Sequence, residues 1–125
     1  MRAPILKQGA FLIASLQASM NDADLVQLRD ELMADIRRHR STGVIVDLTV
    51  LDVVDSFAAR VLRGIAQMTK LLGAETVIVG IQPDVAFSMV QLGLRLEGAE
   101  TALDLEEGLA LLSARASRGL SGHER

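Results

Sequence analysis

The sequence predicts an α/β domain in which a mixed sheet of about five strands packs against about four α-helices. Two near-continuous β-branched runs, residues 43–48 and 76–81, are typical of parallel strands covered by helices. A strongly amphipathic helix lies between them, so these elements form a βαβ unit with an expected right-handed crossover. The length of 125 residues is that of one ordinary domain.

The N-terminal elements follow from an apolar run and a capping residue. Residues 10–16 form a short apolar strand, which we expect to belong to an N-terminal strand pair. Asn21 is a favourable N-cap, and it precedes a helix that should end at about residue 38. The apolar residues of this helix recur at helical spacing: Leu25, Leu28, Leu32 and Ile36.

The C-terminal elements are a helix, a strand and a last helix. Pro83 is favoured in a first turn, and the helix that it opens should run to about residue 94. A short strand near residues 102–105 leads into a helix that ends at about residue 115. Beyond it the chain turns to Ser, Gly and charged residues. We therefore predict one domain over residues 1–115 and a disordered tail over residues 116–125.

Composition excludes several kinds of partner and cofactor. Thirteen basic and sixteen acidic residues give a net charge of −3, and Trp and Tyr are absent, so no nucleic acid partner is expected. Without cysteine, and with only two distant histidines, no metal site is expected. No phosphate-binding glycine motif occurs, so no nucleotide cofactor is expected either. No apolar run is long enough to span a bilayer, so we expect a cytoplasmic protein without a membrane partner.

Ser56 is a candidate phosphorylation site at the start of the amphipathic helix. The helical repeat places Ser56, Arg60 and Arg63 on one exposed, basic side. It places the apolar residues of the helix on the other side, which we expect to be buried: Phe57, Val61, Ile65, Met68 and Leu72. A phosphate there would carry about −1.5 to −2 charges at the positive end of the helix dipole, one turn from Arg60. The alternative is that Ser56 or Asp55 is only a helix cap, which contributes about 1 kcal/mol.

Ser88 is a second candidate, in the helix that follows Pro83. It shares a face with Asp84 and is expected to be exposed. The opposite arc holds Val85, Ala86, Met89, Val90 and Gly93. Since Asp84 would repel a phosphate, modification at Ser88 should be less favourable than at Ser56. The alternative is an ordinary solvated serine.

Enzymatic activity is not expected, and no residue is assigned a catalytic role. The sequence around Ser56 is not G-x-S-x-G, and neither histidine is placed to suggest a catalytic triad. A receiver domain would need an acidic pair after the first strand and a lysine after the last, and both are missing. We therefore interpret Asp47 as a structural residue and Asp52 as a turn former.

Four segments together resemble a STAS domain, from about residue 4 to residue 115. They are Val46-Asp47-Leu48-Thr49, Asp55-Ser56-Phe57, Gly80-Ile81-Gln82-Pro83 and Thr101-Ala102-Leu103-Asp104-Leu105. Within that family they are similar to the RsbS-type scaffold proteins of the bacterial stressosome. Simple anti-sigma factor antagonists more typically carry Asp-Ser-Ser-Gly at the helix start, where this chain has Asp-Ser-Phe-Ala.

The resemblance implies a scaffold that forms homo- and hetero-oligomers with RsbR-type STAS proteins and sequesters an RsbT-type switch kinase. Phosphorylation by that kinase would release it into a stress response, and a serine phosphatase would reset the scaffold. Ser56 matches the family's phosphorylated serine, and Ser88 falls where a threonine phosphosite is usual. The partner-binding residues expected around them are Asp55, Phe57, Arg60, Arg63, Asp84 and Phe87. The alternatives are a simple anti-sigma factor antagonist that binds one anti-sigma kinase, a ligand-binding STAS module, and an enzyme with Ser56 as nucleophile.

Overall fold

The computed structural model describes residues 4–93 and 95–123, without the side chains of residues 119–123. Within them, five strands form one sheet in the order β1-β2-β3-β4-β5. The strands are β1 (Ile5–Gln8), β2 (Phe11–Ser15), β3 (Gly43–Asp47), β4 (Glu75–Val79) and β5 (Ala99–Ala102). The helices are α1 (Asp22–His39), α2 (Ser56–Leu71), α3 (Pro83–Gln91) and α4 (Leu105–His123). This confirms the predicted fold class.

The sheet is mixed because β1 pairs antiparallel with β2, whereas β2 to β5 run parallel to one another. The central strand β3 is buried on both faces, which explains its continuous β-branched sequence. Helices α1, α2 and α3 contribute to the larger apolar cluster on one face, and α4 covers the other. Gly108 lets α4 approach closely, because a Cβ there would lie 2.8 Å from a methyl carbon of Val79.

All four helices begin at the edge where the parallel strands end. We call this the carboxyl edge, and we call the opposite edge, where the helices return, the amino edge. Ligand and partner sites of open α/β sheets commonly lie at the carboxyl edge. Both candidate serines belong to helices that start there, so this edge is the candidate functional site. No helix in the described ranges has the length and apolar character needed to cross a membrane.

The buried face of α2 differs from the predicted one. The sequence placed Met68 and Leu72 on that face, but both are exposed. Leu62, Ala66 and Thr69 are buried instead, so the helix turns a different arc toward the sheet and α1. Helical spacing fixes which residues share a face, whereas tertiary packing decides which face is covered.

Two boundaries near the C-terminus differ from the predicted ones. Strand β5 ends at Ala102 instead of beginning there, because Asp104 caps α4 by accepting a hydrogen bond from the Glu107 N–H at 2.9 Å. Helix α3 ends at Gln91, and the expected end at residue 94 lies outside the described residues. Gly93, with φ of 64°, follows the helix in a left-handed conformation, which is common just past a helix end.

The last helix continues past its expected end at residue 115. Helix α4 runs to His123, so the tail predicted to be disordered is helical through that residue. Alanine at positions 114 and 116 favours helix, and Arg115 forms ion pairs with Glu75 and Glu100 that anchor α4 to the sheet. Residues 124 and 125 lie outside the described residues.

Candidate functional site

The β3–α2 loop and the β4–α3 loop are hydrogen-bonded to each other at the carboxyl edge. Asp47 Oδ1 accepts hydrogen bonds from the Thr49 N–H at 2.9 Å and from the Thr49 hydroxyl at 2.5 Å. Gln82 Nε2 donates to the carbonyl oxygen of Thr49 at 2.8 Å. These bonds agree with the prediction that Asp47 is structural. Thr49 thereby links the loop that precedes Ser56 to the loop that precedes α3.

Gly80 makes this contact between the loops sterically feasible. Its φ is 72°, which L-residues other than glycine rarely adopt. A Cβ at this position would lie 2.1 Å from Thr49 Oγ1 and 3.0 Å from Thr49 Cα. The close approach of the two loops therefore requires glycine. The segment 80–83 carries part of the family resemblance in the sequence, but Thr49 was not predicted to be its partner.

Asp55, and not Ser56, caps helix α2. The Asp55 side chain accepts a hydrogen bond from the Ala58 N–H at 2.8 Å, and the Asp55 carbonyl oxygen accepts one from the Ala59 N–H at 2.9 Å. Ser56 is the first helical residue and is exposed. Of the two capping alternatives, the structure selects Asp55. The Ser56 hydroxyl therefore lies on the surface of the first turn without a capping role.

The basic residues predicted beside Ser56 are exposed on α2. Arg60 and Arg63 both lie on the solvent side of the helix. The Arg60 guanidinium carbon stands 5.9 Å from the centroid of the Phe57 ring, a cation–π distance. Phe57 is half-buried and packs against the core, so it limits the positions available to Arg60. The structure brings Ser56, Phe57 and Arg60 together within the first two turns of α2.

Ser88 differs from its predicted environment, because it is half-buried where the sequence predicted exposure. Its hydroxyl donates a hydrogen bond to the backbone carbonyl oxygen of Asp84 at 3.0 Å. The arc opposite Ser88 is only partly buried, since Val85 and Met89 are buried while Val90 is exposed. Ala86 and Gly93 of the same arc are exposed as well. Asp84 is exposed in the first turn of α3, in agreement with its predicted position on the solvent-facing side of the helix.

In the described residues, several large apolar side chains at this edge are open to solvent, and we call three of them the apolar rim: Val50, Val53 and Phe87. Val53 is 68% exposed and Phe87 is 63% exposed. Phe87 was among the predicted partner-binding residues, but the two valines were missed. The segment 50–54 is apolar apart from Asp52, so its sequence does not separate the exposed valines from the buried Leu51 and Val54. Several apolar side chains exposed at one edge indicate an interaction surface.

Among the side chains that the structure describes, no histidine lies beside Ser56 to activate it as a nucleophile. His39 is the last residue of α1, so it lies at the amino edge, whereas Ser56 lies at the carboxyl edge. Among the described residues, no group of three potential metal-ligating side chains occurs.

The cleft beside Asp55, lined by Leu16, Met20 and Leu51 among others, holds about 160 Å³. Small-molecule sites usually measure about 300–1,000 Å³, so this cleft is smaller than a typical small-molecule site.

Comparison with known proteins identifies the family. The family model described as the STAS domain matches residues 3–108 of this chain. The chain belongs to the STAS domain family. This STAS domain is similar to RsbS of Moorella thermoacetica, solved as a serine-to-glutamate variant, with a TM-score of 0.84 and 35% identity. That match covers 94% of this chain and 99% of the other.

Two further similarities are to a chain of the stressosome and to an RsbT co-antagonist protein. A chain of the solved stressosome, described as a signal integration and transduction hub, matches with a TM-score of 0.81 and 37% identity, over 90% of this chain and 98% of that one. The RsbT co-antagonist protein RsbRA of Bacillus subtilis (strain 168) is 30% identical over 83 residues. This alignment covers 66% of this chain but only 30% of RsbRA.

Proposed function

We propose that this STAS domain is a non-enzymatic scaffold of the stressosome that captures an RsbT-type serine/threonine kinase and releases it when Ser56 is phosphorylated. The observation that carries the proposal is the exposed Ser56 in the first turn of α2, whose cap is supplied by Asp55. The similarity in fold and sequence to RsbS and to a stressosome chain supports the scaffold role. In the cytoplasm, a serine phosphatase would return the scaffold to its capturing state.

The folded domain should tolerate a phosphate on Ser56. The N–H groups of Ser56 and Phe57 are in the first turn, where no helical carbonyl is available to them, and the helix dipole favours negative charge there. Arg60 follows one turn later, close enough in sequence to pair with the phosphate. Modification would therefore change the surface of the domain without destabilising its fold.

The kinase would dock on the apolar rim and the exposed face of α2. Apolar side chains such as Val53 and Phe87 favour burial against a partner, and Arg63 adds a charge that selects an acidic counterpart. A phosphate at Ser56 would bring about −1.5 to −2 charges to this surface, and the partner would have to desolvate or neutralise them. Release of the kinase follows from that penalty.

Ser88 is proposed as a secondary site. Its hydroxyl is the donor in the bond to the Asp84 carbonyl oxygen, so esterification would remove that hydrogen bond. Phosphorylation there would also place charge one turn from the Asp84 carboxylate. Both effects make the modification costlier than at Ser56.

Within the proposed assembly, oligomeric partners would be further copies of this chain and RsbR-type STAS proteins, as the relation to RsbRA suggests.

Kinase capture by Ser56 variants tests the proposal directly. Immobilised wild-type chain, Ser56→Ala and Ser56→Asp would each be incubated with an RsbT-type kinase at one fixed salt concentration. We expect the wild type and Ser56→Ala to retain the kinase and Ser56→Asp to retain less of it, because only the aspartate adds charge to the docking surface. Ser113→Asp is the matched control, since Ser113 is exposed on α4, on the other face of the sheet.

Addition of Mg-ATP to the same complexes completes the test. The wild type should gain a phosphate on Ser56, detected by peptide mass spectrometry, and lose the kinase. Ser56→Ala should keep it. Equal retention by Ser56→Asp and Ser113→Asp, together with no phosphate on the wild type, would remove Ser56 as the switch. Release of a sigma factor from a single anti-sigma kinase, without a large assembly, would instead favour a simple anti-sigma factor antagonist.

A further inference from the structure

A polar cavity opens at the amino edge of the sheet, beside the first residues of β4 and β5. It encloses about 460 Å³, and small-molecule sites usually measure about 300–1,000 Å³. Lys70, in the last turn of α2, and Arg115, on α4, both line it. Since α2 rises about 1.5 Å per residue, Lys70 lies about 21 Å from Ser56 along the helix axis. The cavity is therefore separate from the proposed kinase-docking surface and from the cleft beside Asp55.

The sheet divides the lining of this cavity into two ends, because successive side chains of a strand point to opposite faces. Thr76 lies on the same face as Ile78, which belongs to the apolar cluster under α2. Glu75 lies on the other face, under α4. Glu100 pairs with Val77, which also faces α4, so its side chain lies at the same end as that of Glu75.

The end of the cavity on the α2 face offers hydrogen-bond donors. Lys70 is exposed and forms no ion pair with any side chain in the described ranges. Its stem lies beside Gly98, where a Cβ would be 3.5 Å from Lys70 Cδ. Thr76 is only 2% exposed, yet its hydroxyl has no hydrogen-bond partner in the described part of the chain. Buried polar groups are normally hydrogen-bonded, so this end fits a carboxylate of a ligand.

The end of the cavity on the α4 face carries an excess of negative charge. Arg115 donates a hydrogen bond to the Glu75 carboxylate at 3.0 Å and another to the Glu100 carboxylate. Two carboxylates thus share a single guanidinium group. Each carboxylate also keeps a second oxygen for which no hydrogen bond is described. Those oxygens can accept further hydrogen bonds, so this end fits an ammonium group of a ligand.

We propose that the cavity binds a small zwitterion of the amino-acid type, with a carboxylate at one end and an ammonium group at the other. The carboxylate accepts hydrogen bonds from the Lys70 ammonium group and the Thr76 hydroxyl, and the ammonium group of the ligand donates to Glu75 and Glu100. The four ionic side chains carry no net charge together, as does the ligand. An anion alone would meet the two carboxylates, and a cation alone would meet Lys70, so the arrangement selects a ligand with both charges.

Nuclear magnetic resonance titration of the ¹⁵N-labelled wild-type chain tests this site. The probes are free glycine, β-alanine and 4-aminobutyrate, which carry the two charged groups at increasing separations. For each probe, the alkyl carboxylate and the alkylammonium ion of the same chain length carry one charge only. We expect at least one zwitterion to shift the amide signals of Thr76 and Gly98 saturably. It should bind about tenfold more tightly than its single-charge counterparts, because each of them loses charged hydrogen bonds.

Two isosteric changes of buried threonines test the carboxylate end. Thr76→Val should weaken binding of the zwitterion about tenfold without lowering the free energy of unfolding, because the hydroxyl has no described partner in the folded chain. Thr69→Val is the matched control. Thr69 is also buried with an unpartnered hydroxyl among the described residues, but it does not line the cavity, so its replacement should leave binding unchanged. Lys70→Met, at an exposed position, should weaken binding like Thr76→Val.

Glu100→Gln tests the ammonium end, because it should abolish the preference for the zwitterion over the plain carboxylate. Three results would each overturn the proposal: no saturable shift with any of the three zwitterions, a plain carboxylate that binds the wild type as tightly as its zwitterion, and equal affinity in Thr76→Val and Thr69→Val. Because neither kinase nor ATP is present, each of these results would leave the proposed Ser56 switch unaffected.

Discussion

Replacing Gly80 by alanine should destabilise the domain through two separate effects. A non-glycine residue in the left-handed region costs about 1–2 kcal/mol, and Gly80 has φ of 72°. The new Cβ would lie 2.1 Å from Thr49 Oγ1, so Thr49 must shift away from Asp47. A hydrogen bond to a charged acceptor contributes about 1.5–3 kcal/mol, and partial exposure favours the lower end. We expect a total loss of about 3 kcal/mol in the free energy of unfolding.

Urea unfolding measures this loss, because the free energy of unfolding extrapolates linearly to water. Gly73→Ala is the matched control. Gly73 has φ of 86°, but a Cβ there would have no atom within 4 Å. The control should therefore show only the conformational cost of about 1–2 kcal/mol. The difference between the two variants isolates the clash with Thr49.

A Thr49→Ala background separates the clash from any other effect at Gly80. Without the Thr49 hydroxyl, Gly80→Ala should cost less than it does in the wild type, and the difference is the coupling energy of the pair. The reasoning would be refuted if Gly80→Ala cost no more than Gly73→Ala. It would also be refuted if the two positions proved additive, because the structure makes Thr49 the residue that the new Cβ meets.

Two further pairs of substitutions test the cap of α2 and the core. Asp55→Ala should lower the free energy of unfolding by about 1 kcal/mol through loss of the N-cap, whereas Asp52→Ala, at an exposed position with no hydrogen bond described for its side chain, should stay within about 0.5 kcal/mol. Leu62→Ala should cost about 2–5 kcal/mol because Leu62 is buried, whereas Leu71→Ala should be nearly neutral. Urea unfolding measures all four, and equal losses within either pair would contradict the assigned roles.

The sequence predicted the centre of the sheet more accurately than its edge. Strand β3 was expected over residues 43–48 and is observed as Gly43–Asp47, because a strand buried on both faces is apolar throughout. Strand β5 was placed three residues too late. Its sequence, Ala99 to Ala102, contains an exposed Glu and Thr and gives a weak strand signal, whereas the more apolar Leu103 and Leu105 follow it.

The sequence predicted those parts of the candidate site that depend on residues close together in the chain. Ser56 and Arg60 share the exposed side of α2 because the helical repeat fixes their relative angle. The same repeat could not show that α3 would expose Phe87 and half-bury Ser88, since packing on the sheet decides which arc is covered. The link between Thr49 and Gln82 was likewise invisible, because it joins residues 33 positions apart through a backbone carbonyl oxygen.

Two neighbouring residues divide the roles of capping and modification at the start of α2. Because the Asp55 carboxylate supplies the cap, phosphorylation of Ser56 removes no hydrogen bond that stabilises the helix. At Ser88 the hydroxyl itself donates to the Asp84 carbonyl oxygen, and a phosphate ester lacks that proton. In the proposed switch, Ser56 is therefore the less costly site for any kinase that reaches the carboxyl edge. The link from Thr49 to Gln82 keeps the loops before α2 and α3 in one arrangement, so a kinase docked on the apolar rim would contact both helix starts at once.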